Sequence, residues 1–332
     1  MLTRTLLLLI LSLMAACAST PAASGPTTPP ITWAVAIHGG AGTIDRNTPP
    51  EQAAAYLASL TRALDEATTR LARGESSLDV CEAVVRLLED DELFNAGRGA
   101  ALNEKGQAEL DASIMDGATL RCGAVAGVRT VKNPITLARA VMEQTRHVLL
   151  ISDGAEQFAA SIHTPLVDPS YFVTPRRQQM LKKALEKPGA RADHPGVTYG
   201  TVGCVVLDSK GNLAAATSTG GMTAKKWGRV GDSPILGAGN YADQYAAISG
   251  TGTGEEFIRH GVARMIAARV ALKNETLAQA ADHLVHKTLR PDDGGVIAVD
   301  AKGNIAMPFN SEGMYRACAD STGKREVRIW ED

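Results

Sequence analysis

The sequence predicts an α+β fold in which stacked sheets are covered by helices. Three observations carry that prediction. Strand–turn–strand pairs and helices come in runs, not in the regular alternation that builds a parallel sheet. Two of those pairs echo each other in register, GTVGCVVLDSKGNLAAATSTGGM and DDGGVIAVDAKGNIAMPFNSEGM, so that Lys210-Gly211-Asn212 answers Lys302-Gly303-Asn304. Glycine is plentiful, 32 of 332 residues, which suits many tight turns and close backbone approaches.

The elements follow in order. MLTRTLLLLILSLMAAC has an early Arg, an apolar run and a small-residue ending, which reads as an export signal too short for an ordinary spanning helix. The ending LMAAC resembles the bacterial lipobox, which makes Cys17 the lipidated first residue of a periplasmic, membrane-anchored protein; plain secretion is the rival reading. Residues 1–16 are then the signal, and 17–30, rich in Ala, Ser, Thr and Pro, a tether unable to build a core.

WAVAIHGGAGTI (33–44) reads as a buried strand entering a glycine turn. Helical spacing runs from residue 51 until Gly74 stops it, and a Ser/Asp-rich start precedes a second helix to about Glu89. AELDASIMDG and CGAVAGVRT read as strands, NPITLARAVMEQT as a helix, HVLLIS as a strand and DGAEQFAASIH as a helix. From about 175 to 200 the chain is polar, basic and broken by Pro and Gly, which predicts an exposed, mobile linker. Two hairpins follow, with helices over TGEEFIRHGVARMIAARVALKN and TLAQAADHLVHKTL between them.

The formal net charge of −2 argues against nucleic acid as a partner, since phosphate binding needs a concentrated basic surface. Cys81, Cys122, Cys204 and Cys318 form no C-x-x-C pair, and Cys81 and Cys204 sit in apolar runs as buried thiols would.

One residue invites chemistry. Thr201 opens a strand in which Thr201, Gly203 and Val205 share a face, and Gly203 leaves space beside the hydroxyl for something to approach. A hydroxyl is a poor nucleophile without a base, and no His stands in an obvious place. Cleavage between Gly200 and Thr201 would give Thr201 a free α-amine, with an ordinary pKa of about 7.7–8, in the same residue as the hydroxyl.

HGGAGT, LFNAGRGAALNEKGQAELDASIMDG, GTVGCVVLDSKGNLAAATSTGGM, GRVGDSPILGAGNYAD and SGTGTGEEFIR together resemble the plant-type (type 2) L-asparaginase/isoaspartyl peptidase family of N-terminal nucleophile hydrolases, over about 33–316. The resemblance implies a four-layer αββα sandwich of two mostly antiparallel sheets. It implies one catalytic domain that cuts itself into an α chain (31–200) and a β chain (201–332), two such pairs forming a dimer. Thr201 matches the nucleophile, Thr219 the threonine that tunes it, and Asn95 an asparagine beside it. Arg229 matches the group that holds the substrate's α-carboxylate, Asp232 its ammonium partner, and Thr251 and Gly252 the oxyanion donors. Leu88, Glu89, Asp91, Phe94, Ala96 and Arg98 match a structural sodium site built mainly from carbonyl oxygens; catalysis itself implies no cofactor. The implied reaction is hydrolysis of L-asparagine and β-aspartyl dipeptides to aspartate through an acyl-enzyme. A glycosylasparaginase of the same fold and a non-catalytic amino-acid-binding lipoprotein are the alternatives.

Overall fold

A computed structural model describes residues 30–42, 44–186 and 200–331. The export signal, Cys17, most of the tether and residues 187–199 lie outside the described residues. The strands are β1 (Ala34–Gly42), β2 (Leu110–Asp116), β3 (Cys122–Val128), β4 (Leu149–Ile151), β5 (Val202–Leu207), β6 (Leu213–Thr219), β7 (Asn240–Ala242), β8 (Ala246–Gly252), β9 (Gly294–Asp300), β10 (Ile305–Ala306), β11 (Gly313–Asp320) and β12 (Arg325–Arg328). The helices are α1 (Pro50–Ala72), α2 (Ser77–Glu89), α3 (Pro134–Gln144), α4 (Ser152–Ser161), α5 (Pro175–Leu185), α6 (Gly254–His260), α7 (Val262–Lys273) and α8 (Leu277–Asp282).

They build the expected sandwich. An eight-stranded sheet runs β12-β11-β1-β5-β6-β2-β3-β4, and a four-stranded sheet β10-β9-β8-β7. Neighbours are antiparallel except the β3/β4 pair. Helices α1, α2 and α3 cover the outer face of the large sheet, and α7 and α8 that of the small one. Strand alternation sorts the core into two clusters. Val35, Ile37, Cys204, Val206, Ala214 and Ala216 face the outer helices. Ala34, Ala36, Val205, Leu207, Leu213 and Ala215 face the second sheet, against Ala247, Ile297 and Val299. Among the described residues no helix is long and apolar enough to cross a membrane.

The linker expectation needs correcting over its first part. Residues 175–185 form α5, N-capped by Thr174, whose hydroxyl accepts from Arg177 N–H. Its basic residues are used on the protein: Arg176 donates to the carbonyl of Leu93 (3.1 Å) and the buried Arg177 to that of Gly99. Of its apolar residues Met180, Leu181, Ala184 and Leu185, only Leu181 is buried, so the helix adds little to the core that marks the others.

The echo is turn chemistry. Asp208 accepts from the N–H of Lys210 and Asn212, and Asp300 from that of Lys302 and Asn304, each at 2.9–3.0 Å. Gly211 and Gly303 take φ of 83° and 80°. The same Asx turn recurs at Asp320, Thr322 and Lys324, so the likeness follows from reusing one hairpin solution. Among the described residues Cys81, Cys122, Cys204 and Cys318 are free thiols, and all but Cys122 are buried.

Candidate active site

The ends of β6 and β8, the start of β5 and three loops meet in a small cleft. Asn95, Thr201, Thr219, Gly221, Met222, Arg229, Gly231, Asp232, Ser233 and Gly252 line it. Thr201 is buried just ahead of β5, and its Oγ1 donates to Thr219 Oγ1 at 3.0 Å. Thr219 also accepts from Gly221 N–H at 3.0 Å, which fixes the oxygen facing Thr201. The bond that would be cut is held as well. Gly200 O accepts from Asn95 N–H at 3.0 Å, while Asn95 Nδ2 donates to Gly221 O and Asn95 Oδ1 accepts from Ala101 N–H. The loop carrying Asn95 thus grips both sides of Thr201.

Arg229 and Asp232 stand beside this pair. Glu255, which sequence reasoning passed over, holds the guanidinium side-on: Arg229 Nε and Nη2 donate to its two oxygens at 3.0 and 2.9 Å. A guanidinium has five N–H donors in a planar fork, so the end-on face keeps donors free to take a second carboxylate. Burial pushes Glu255 up, but the Arg229 pair outweighs it and keeps the acid below its usual range. Asp232 is fully buried, and its Oδ2 has no hydrogen-bond partner among the described residues. Burial pushes its carboxyl up to about 7, against the pull of Arg229 and a backbone N–H. A cationic ligand is what such a carboxylate lacks.

Thr251 differs from its neighbours. It is fully buried, does not line the cleft, and its Oγ1 accepts from Ala41 N–H at 3.2 Å, near the end of β1, which runs on through the glycines expected to form a turn. Having accepted there, the hydroxyl retains its own proton to donate. Gly252 does line the cleft, at φ 152°.

Gly203 is explained differently from the expectation. Parity is right, since Val205 faces the second sheet, but the space is not left for a ligand. A Cβ on Gly203 would collide with Ser249 Oγ and His38 Nε2. His38, the histidine missed in sequence, fills that gap. Its Nδ1 is 2.9 Å from Thr201 O and its Nε2 2.8 Å from Ser249 Oγ. The signal available was a His inside an apolar strand, facing strands that carry buried hydroxyls at Thr217 and Ser249.

The 88–98 loop offers neutral oxygens at close quarters. A Cβ on Gly97 would strike Glu89 O, and one on Gly99 would strike Phe94 O and Glu92 O. The carboxylate of Asp91 is taken by Ser59, Arg62 and Leu93 N–H, and the Arg98 side chain pairs with Glu92, while Glu89 accepts from Ser218 and Ile135 N–H on Oε1 and its buried Oε2 has no hydrogen-bond partner among the described residues. What the turn offers is mainly backbone carbonyls, with one unpartnered carboxylate oxygen of Glu89 nearby, and an oxygen donor set suits a hard cation.

The asparaginase family profile matches residues 31–329. The chain is 46% identical over 323 residues to a probable isoaspartyl peptidase/L-asparaginase 2 of Arabidopsis thaliana, covering 90% of this chain and 99% of that one. It is 49% identical to an isoaspartyl peptidase of Salmonella typhimurium, covering 85% and 94% of the two chains. It is 40% identical to a plant-type L-asparaginase of Pyrococcus abyssi, covering 86% and 95%.

Proposed function

The chain belongs to the asparaginase family, as an amidohydrolase of the isoaspartyl peptidase/L-asparaginase kind with a small-molecule substrate, and from that premise we propose that it is a self-cleaving threonine hydrolase of β-aspartyl bonds. The observation that carries the reading is Thr201 Oγ1 at 3.0 Å from Thr219 Oγ1, in one cleft with Arg229 and the partnerless Asp232. In the precursor, Thr201 Oγ attacks the Gly200 carbonyl carbon while Asn95 N–H polarises its oxygen. The C–N bond breaks, an ester forms, and water releases the Gly200 carboxylate. Thr201 then carries a free α-amine.

That amine takes the hydroxyl proton as Oγ adds to the side-chain carbonyl carbon of asparagine or of a β-aspartyl dipeptide. Gly252 N–H and the Thr251 hydroxyl stabilise the oxyanion. The leaving amine departs with the proton, and water hydrolyses the β-aspartyl ester. Arg229, aligned by Glu255, takes the α-carboxylate, and Asp232 takes the α-ammonium. Both substrates share those groups and differ in the leaving amine alone.

Carbonyls of Leu88, Glu89, Asp91, Phe94, Ala96 and Arg98 would hold sodium, whose bound charge would stiffen the loop carrying Asn95. The active form is a dimer of α/β pairs, anchored in the periplasm through lipid on Cys17. Cys17→Ser tests the anchor: the variant should leave the membrane fraction, and retention there would refute lipidation. The catalytic reading is tested by Thr201→Ala, which should stay one chain and be inactive. Two chains from that variant, or full activity, would refute it.

A further inference from the structure

Thr201 lies one residue outside the ladders that hold its strand. The β5/β6 pairing begins at Val202↔Ser218, and the β1/β5 pairing ends at His38↔Gly203. On the reading above, cleavage removes Gly200 as its upstream neighbour. A chain terminus without ladder partners frays unless it is tied down.

The His38 side chain reaches past its own partner, Gly203, to Thr201 O. A carbonyl only accepts, so Nδ1 carries the proton. The ring is fully buried, and burial pushes it down to about 3, so it is neutral and Nε2 is an acceptor. Ser249 on β8 must then donate to Nε2, and Thr217 on β6 lies 2.7 Å from Ser249 and 3.2 Å from the Gly239 carbonyl. The Nδ1 and Ser249 protons therefore both point toward the Thr201 carbonyl. Gly203 makes room for the ring, and His38 is not among the residues that line the cleft.

We propose that His38 is a positioning residue: its Nδ1–H holds the Thr201 carbonyl, so that hydroxyl and new α-amine keep their aim once Thr201 is a terminus. The role rests on Thr201 being the nucleophile. Ser249 holds the ring's other nitrogen from the second sheet, coupling the two sheets at the reacting residue.

Two substitutions separate this role from packing. In His38→Asn the side-chain amide nitrogen falls near the place of Nδ1 and can still donate to Thr201 O. In His38→Gln it falls near Nε2 and keeps Ser249 but not Thr201. Both are assayed for kcat and KM per cleaved site counted by mass, beside Thr201→Ala. The Gln variant should lose about a hundredfold in kcat, the scale of a nucleophile misplaced by an ångström, with KM unchanged. The Asn variant should recover most of that loss. Equal losses that follow melting temperature, a change confined to KM, or full activity in the Gln variant would overturn the proposal. Activity in Thr201→Ala would overturn instead the reading beneath it. Ring 15N shifts of wild-type enzyme need no variant: they should show His38 neutral and protonated at Nδ1 between about pH 5 and 8, where an ordinary histidine titrates. An Nε2–H tautomer, or titration in that range, would overturn it.

Discussion

Replacing Gly254 by alanine should disable substrate binding at a modest cost in stability. Gly254 is the first residue of α6, after Thr253. A Cβ there would stand 2.7 Å from Arg229 Nη2, 2.9 Å from Asp232 Oδ1 and 3.1 Å from Asp232 N. Comfortable carbon contacts begin near ~3.5 Å, so the guanidinium must retreat by about 0.8 Å. For stability the Arg229 contact matters little, because Nη2 is the tip of a flexible side chain, whereas the carboxylate and backbone N–H of buried Asp232 yield less. Alanine also favours the helix over glycine by up to ~1 kcal/mol, which offsets part of the crowding. For binding it matters a great deal, because that tip is the group proposed to meet the α-carboxylate. Displacement on this scale costs on the order of a hundredfold in kcat/KM. Because the carboxylate is bound alike in ground and transition states, most of the loss should appear in KM. The assay is steady-state aspartate release from β-Asp-Leu and from asparagine, beside a thermal melt. An unchanged KM in a folded, cleaved Gly254→Ala enzyme would refute the placement of the substrate between Arg229 and Asp232.

Other outcomes follow from the same geometry. Burial pushes the Asp232 carboxyl up to about 7, and it must be ionised to meet an ammonium. In kcat/KM, which reports the free enzyme, its loss on acidification adds to that of the Thr201 amine, so the acid limb should be steeper than in kcat, where bound substrate keeps Asp232 charged. Equal slopes would refute this. The folded carboxyl lies above its unfolded value, so the penalty on the folded state grows as pH rises from about 4 and is complete above about 7. Asp232→Asn should therefore raise the melting temperature of free enzyme at alkaline pH while abolishing turnover, and an unchanged or lower melt would contradict that. Gly203→Ala drives a methyl into Ser249 and His38 and should cost about 1–3 kcal/mol in urea unfolding. If the 88–98 carbonyls hold sodium, exchanging sodium for choline should lower the melting temperature and restoring sodium should recover it; no shift would refute the site.

Much of the fold was legible because its signals are local. The periodicity of α1, the Ser76 cap of α2 and the Asx turns at Asp208 and Asp300 each depend on residues within a few positions. Helix α5 escaped because its reason for being helical lies elsewhere, in the carbonyls of Leu93 and Gly99 that its arginines hold. The site divides the same way. Thr201, Thr219, Arg229 and Asp232 stand in motifs of characteristic order. His38 meets Ser249 across 211 residues and two sheets, a contact no spacing along the chain announces. Glu255 was visible in TGEE as a charge, but its task depends on where Arg229 ends up.

The central claim is that one residue becomes both attacker and base when its upstream peptide bond is cut. Intact mass with N-terminal sequencing of active enzyme tests it directly. The account predicts two chains, the shorter beginning Thr-Val-Gly-Cys at Thr201. A fully active protein that remains a single chain through Gly200–Thr201 would contradict it.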